Sequence, residues 1–160
     1  MAVDMFIKIG DIKGESADKA HKETIDVLSW SWGMTQSGTM HHGKGGGAGK
    51  VSVQDLAFSK RTDSASHALV KAVCDGSHFK EAMLYVRKAG KTPLDYLKIK
   101  MTDVLITSFQ TGGTNQENDV LHETWTLNFA KFAFDYTEQN ADGTKGATKS
   151  STWDISGNAP

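Results

Sequence analysis

The sequence predicts a mainly β fold: a closed or nearly closed β-barrel of two packed sheets, with one flanking α-helix and a long Gly-rich loop. Three observations carry that expectation. Apolar residues recur with a period of two along most of the chain, several of these runs change their apolar face midway, and only one segment shows the period of a helix. A run that swaps face either turns a barrel corner or leaves the core for an interface.

The elements follow in order. Val3, Met5, Ile7 and Ile9 alternate with Asp4, Phe6 and Lys8, which predicts a strand with one buried face. A polar loop covers 10–19. Residues 24–36 read as one long strand, with Leu28, Trp30, Trp32 and Met34 toward the core and Ser29, Ser31 and Thr35 toward water. In the stretch 38–50, Gly43, Gly45, Gly46, Gly47 and Gly49 are separated only by Lys44 and Ala48. Such a segment has almost no side chain to bury and loses the most backbone entropy on ordering, so a mobile loop is expected in a lone subunit. A strand resumes at Lys50, with Val51 and Val53 on one face, then Leu56 and Phe58 after a switch at Gln54-Asp55.

The helix is expected after Asp63 or Ser64, with Ala65, Ala68, Leu69, Ala72 and Val73 as its apolar stripe and Gly76 at its end. Strands at 82–87, 96–109 and 121–136 follow, the last two changing parity near 102–103 and at Ala130-Lys131. A polar tail over 139–151 leads to a short strand around Trp153 and Ile155.

Length and composition narrow the function. The 160 residues suit a single domain over 1–160, and 38% hydrophobic residues suffice for a core. The 18 basic and 19 acidic residues nearly cancel, without the basic excess of a nucleic-acid binder. Cys74 is the only cysteine, so no intrachain disulfide is expected. The opening residues lack a basic leader and a long apolar run, and no stretch approaches a membrane-spanning length. Synthesis and folding in the cytoplasm, without membrane insertion, are expected, and any export would need a dedicated machine.

No catalytic, cofactor or metal constellation emerges. Loop 43–50 superficially suggests a phosphate loop, but a lysine stands where its first glycine belongs, Val51 replaces the magnesium-binding hydroxyl, and a strand pattern follows instead of a helix. His21, His41, His42, His67, His78 and His122 lack ligand spacing and read as exposed surface residues. Cys74 reads as a buried structural thiol. Asp26, Asp55, Asp103 and Glu123 read as single charges on half-exposed strands, and Trp30, Trp32, Trp125 and Trp153 as core or interface. A small nucleotide-binding enzyme built on loop 43–50, or a monomeric carbohydrate-binding barrel using the tryptophans, are the alternatives.

The chain also resembles a known family. Residues 1–16, opening Met1-Ala2-Val3-Asp4-Met5-Phe6-Ile7-Lys8, are similar to the first strand and loop of the haemolysin-coregulated proteins of bacterial type VI secretion. Ile25-Asp26-Val27-Leu28-Ser29-Trp30-Ser31-Trp32-Gly33-Met34 resembles that family's second strand, and Gly49-Lys50-Val51-Ser52-Val53-Gln54-Asp55-Leu56 its extended loop and third strand. Val86-Arg87-Lys88-Ala89-Gly90, Ser108 with Thr111-Gly112-Gly113, and Leu127-Asn128-Phe129-Ala130 continue the match in order.

The resemblance implies a non-enzymatic tube subunit: a homohexamer whose rings stack, tipped by a spike protein, surrounded by a sheath and carrying effector proteins in its lumen. It implies export to the medium or a target cell without signal cleavage, and needs no cofactor. Carried over by position, Ser29 and Ser31 would face the lumen. Gly38, Thr39, Met40, His41, His42, Gly43, Lys44, Gly45, Gly46, Gly47, Ala48 and Gly49 would form the loop that reaches a neighbouring ring. Some members carry a further enzymatic domain, and none is expected in the short stretch that follows the last aromatic strand here.

Overall fold

The structure is a computed structural model that describes residues 3–38, 40, 48–88, 92–116 and 120–160. Ten strands and one helix follow one another among these residues: β1 (Val3–Ile9), β2 (Ile25–Asp26), β3 (Ser29–Ser31), β4 (Met34–Gly38), β5 (Ala48–Val53), β6 (Leu56–Arg61), α1 (Ser66–Asp75), β7 (His78–Lys88), β8 (Leu94–Gly112), β9 (His122–Gln139) and β10 (Lys145–Asp154). The main sheet runs β2-β1-β7-β8-β9-β6-β3, with β10 beside β9, and every pairing is antiparallel.

The ends of that order meet. β2 and β3 are consecutive pieces of one extended segment, separated only by Val27 and Leu28. The Val27 N–H donates to Met5 O at 2.9 Å on β1, and the Leu28 N–H donates to Ser59 O at 2.8 Å on β6. One short crossing segment thus joins both edges of the curled sheet and closes the barrel, removing the unpaired edges an open sheet would present there. Ile7, Ile9, Ile25, Leu56, Phe58, Leu84, Ile99, Met101, Trp125 and Leu127 fill its interior, none more than 1% exposed.

The two parity changes in the long strands are one feature. Thr102 pairs with Lys131 and Val104 with Phe129, so both strands swap face at the same rungs with no residue inserted. Asp103 takes φ 56 there, a left-handed conformation that bends the strand. Met101 and Phe132 are buried on one side of this corner, Val104 and Phe129 on the other. A second irregularity, a register shift between Ile106 and Ser108, leaves Thr107 as an added residue.

The expected single strand over 24–36 is broken into β2, β3 and β4. After Ser31 the chain leaves the barrel and pairs as β4 with β5 in a separate two-stranded ribbon. β5 returns to the barrel at the same level, where the Gln54 N–H donates to Gly33 O and Trp32 Nε1 donates to Gln54 O, both at 2.9 Å. The switch at Gln54-Asp55 therefore marks a strand passing from ribbon to barrel. Leu28 at 39% and Met34 at 44% are exposed, against the expected core face, because one lies at the crossing and the other on the ribbon.

Three further expectations are corrected. β1 buries Phe6 along with Ile7 and Ile9 of its predicted face, while Val3 is exposed and Met5 half-buried; loop 10–24 folds back and lays the His21 ring on Phe6 and Tyr85, with centroids 4.7 and 4.4 Å apart. Most of the expected polar tail is β10, whose ladder to β9 begins at Lys145 opposite Gln139. Backbone pairing needs no apolar pattern, so hydropathy could not reveal it. Cys74 is exposed rather than buried, because the buried stripe of α1 runs through Leu69 and Ala72. The helix does end at Gly76, which takes φ 68 and donates its N–H to Ala72 O.

Candidate functional face and buried polar clusters

The outward face of β3, β6, β9 and β8 is a carpet of small polar side chains. Inward residues alternate along these strands (Trp30; Phe58 and Lys60; Glu123, Trp125 and Leu127), which turns their neighbours outward. The register then aligns two rungs across four strands. Ser29 pairs with Ser59, Ser59 with Thr124, and Thr124 with Gln110. One step along, Ser31 pairs with Ala57, Ala57 with Thr126, and Thr126 with Ser108. Ser29 and Ser59 share a hydrogen bond, as do Ser108 and Thr126.

At one end of the carpet lies Asp55, whose Oδ1 accepts from Asn128 Nδ2 at 2.8 Å and whose Oδ2 accepts from Thr107 Oγ1 at 2.7 Å. At the other end Arg61 pairs in register with His122. Ser29 and Ser31 are thus exposed, as expected, but belong to a wider surface to which four strands contribute. Small or neutral polar residues flanking an aromatic, at Ala57 and Ser59, Ser108 and Gln110, and Thr124 and Thr126, were the available signal. Which strands lie side by side was not.

Of the loop residues, Gly38, Met40, Ala48 and Gly49 are described. Gly38 pairs with Ala48 at the end of the ribbon, and Met40 is 78% exposed. Thr39, His41, His42, Gly43, Lys44, Gly45, Gly46 and Gly47 lie outside the described residues, as does the expected mobility of that stretch. Lys50 sits within β5, so a strand rather than a helix follows the glycine run. Between the ribbon and β9–β10 runs an apolar groove of about 600 Å³, lined by Trp32, Met34, Val51, Phe132, Phe134 and Trp153 among others. Trp32 stands edge-on to Phe132 at 4.8 Å on its floor, and Trp125 is fully buried, which leaves no row of exposed indoles.

Two buried polar clusters were not legible in the sequence. Lys60 is wholly buried and donates to Asp63 Oδ1 at 2.8 Å, Ser66 Oγ at 2.9 Å and Arg61 O at 3.1 Å, with Glu123 Oε1 at 2.9 Å. Ser66 Oγ and Trp125 Nε1 also donate to Glu123, each at 3.0 Å. Burial pushes the Glu123 carboxyl up, but the hydrogen bonds from Lys60, Ser66 and Trp125 outweigh it and hold the group below its ordinary range. Ser66 Oγ thus accepts from Lys60 and donates to Glu123, and the cluster pins the start of α1 to β6 and β9.

The second cluster fastens loop 10–24. Arg87 pairs with Asp18 and Asp4, and His21 Nε2 lies 2.9 and 3.0 Å from the two Asp95 oxygens. The Arg87 guanidinium beside Asp18 holds that carboxyl far below its usual range. His21 is 6% exposed, contrary to the surface position expected of every histidine. Among the described residues, no group of three or more His, Cys, Asp or Glu side chains could hold a metal ion.

The fold is thus a β-barrel with a projecting ribbon, an apolar groove beneath it and a neutral hydroxyl face. Residues 6–136 match the family described as "Type VI secretion system effector, Hcp". Over 146 residues the chain is 54% identical to Protein hcp1 of Pseudomonas aeruginosa, covering 91% of this chain and 90% of that one. Two solved structures extend the likeness. Hcp1 from Salmonella typhimurium has a TM-score of 0.80 at 35% identity, covering 99% of this chain and 98% of that one. A type VI secretion system effector from Yersinia pestis has 0.77 at 36%, covering 95% and 100%. The chain belongs to the Hcp family, the structural, secreted tube proteins of type VI secretion.

Proposed function

We propose that this chain is the repeating, non-catalytic unit of the type VI inner tube, with six copies closing a ring and rings stacking. The hydroxyl face with Ser29 and Ser31 lines the lumen and holds effector proteins before export. The ribbon and residues 38–49 reach the next ring, and the groove beneath the ribbon is covered by a neighbouring copy. Spike and sheath proteins bind the ends and outer wall. Rings assemble in the cytoplasm and leave without signal cleavage, and neither cofactor, nucleic acid nor membrane insertion is required.

The observation that carries the reading is the pair of aligned rungs. Four strands devote one continuous face to small, mostly polar side chains, two pairs of which are hydrogen-bonded to each other, a surface that stays wet without gripping strongly. The strand at Lys50 and the burial of Trp125 favour neither a nucleotide site nor a sugar platform. Ser31→Gln is the test. It adds bulk to the second rung without touching the core, so rings form normally by light scattering while a co-expressed effector is retained less. Undiminished retention by rings carrying Gln there would remove this face from the lumen. A chain that stays monomeric at high concentration would end the tube reading.

A further inference from the structure

The hydroxyl face is electrically polar along its strands. Between its ends the outward side chains are neutral: Ser29, Ser31, Ser59, Thr124, Thr126 and Ser108. One formal charge stands at each end. Asp55 is held at one end by Thr107 and Asn128, which donate to its two oxygens without neutralising it. Arg61 stands at the other, exposed beside His122. Among the described residues neither Asp55 nor Arg61 makes a close ion pair, although Asp26 lies within electrostatic reach of Arg61.

The two charges act independently. Asp55 and Arg61 are six steps apart along extended chain, about 20 Å at ~3.3 Å per residue. That exceeds the screening length of about 8 Å at physiological salt. They therefore do not cancel each other, Asp26 offsets Arg61 only from a distance, and the carpet between them offers no competing charge. Asp55 is also the better fixed of the two. The added residue at the β8 irregularity is Thr107, whose hydroxyl meets Asp55 and Thr126, while Thr126 in turn meets Ser108. The chain Asn128–Asp55–Thr107–Thr126–Ser108 orients the carboxylate and ties it to the second rung.

We infer that Asp55 and Arg61 are the charge-selecting residues of the cargo face: it takes folded proteins with a cationic patch against the Asp55 end and an anionic patch against the Arg61 end. This rests on the lumen assignment above. The neutral rungs admit a partner with few strong contacts, and the two end charges orient it. Repetition around a ring multiplies a contact that is weak in one copy, since exposed ion pairs each contribute little.

The test uses the assembled full-length chain and one small folded fluorescent protein, prepared with a lysine-rich, a glutamate-rich or an unaltered surface. Retention on immobilised rings is measured at low salt. Asp55→Asn lowers retention of the lysine-rich probe by about three-fold, the size of one exposed ion pair, and leaves the glutamate-rich probe unchanged. Arg61→Gln does the reverse. Equal losses of both probes, or none, overturn the inference while leaving the lumen reading intact. If native rings retain no probe at all, the lumen reading fails and this one with it. Should Asp55→Asn not assemble, native rings supply the same readout: added salt releases both charged probes and spares the unaltered one, and loss of all three alike counts against charge selection.

Discussion

Replacing Lys60 with methionine tests the idea that a buried charge cluster anchors the helix to the barrel. Methionine keeps most of the stem but removes the ammonium, leaving Glu123, 3% exposed, and Asp63 facing each other's charge without a cation. Four contacts at 2.8–3.1 Å are lost at once. Ser66 and Trp125 still donate to Glu123, so its desolvation is partly met. Breaking one side of a buried pair costs about 3–5 kcal/mol. For a chain of this length that lowers the melting temperature by roughly 6–20 °C. Removing the partner charge as well distinguishes this cause from poor packing. In Lys60→Met with Glu123→Leu the orphaned carboxylate is gone, and at least 1 kcal/mol returns although two residues are now changed. Urea unfolding followed by circular dichroism gives all four corners of that cycle. A Lys60→Met loss below about 1 kcal/mol, or a double variant no better than the single, would refute the reasoning.

Gly76→Ala should cost about 1 kcal/mol in the same assay, a purely conformational loss, because φ is 68 and nothing lies within 4 Å of the added Cβ. Acid should destabilise through Asp18 and Glu123. Both carboxyls titrate lower in the folded than in the unfolded chain, so their contribution is complete above the ordinary carboxylate range and is lost as pH falls through the depressed folded values. A urea midpoint independent of pH below about 4 would contradict that. Asp26 has the opposite sign: burial raises its carboxyl, helped by Asp63, Asp18 and Asp4, so its charged form opposes folding as pH rises and Asp26→Asn should raise the midpoint at neutral pH. Phe134→Asp places a charge in the groove beneath the ribbon. It should leave the far-ultraviolet spectrum unchanged but shift light scattering toward the monomer, and rings of normal mass would place the interface elsewhere.

Period-two hydropathy located most strands, and the fold class followed from it. It failed where side-chain pattern and backbone pairing separate. β10 is polar and exposed over most of its length, and its place is set by hydrogen bonds to β9. Residues 24–36 alternate as one strand would, yet serve three pairings because the chain crosses between two sheet edges before entering the ribbon. Cys74 and His21 were misplaced for a related reason. Helix phase decides the first, and a loop folding back onto β1 and β7 decides the second.

Of the candidate face, Ser29 and Ser31 could be found because alternation turns them away from Trp30. Ser59, Thr124, Gln110 and Thr126 could not, since their membership depends on register between strands far apart in the chain. The sequence by itself determined that this protein is a β-barrel with one helix and a glycine-rich excursion, and the run of motifs placed it in its family. Only the tertiary structure decided which hydroxyls share a surface, that Lys60 and Glu123 are buried partners, and that Asp55 stands uncompensated at the margin of a neutral face. Hydropathy is a property of neighbours in sequence, whereas charge compensation and surface continuity are properties of neighbours in space.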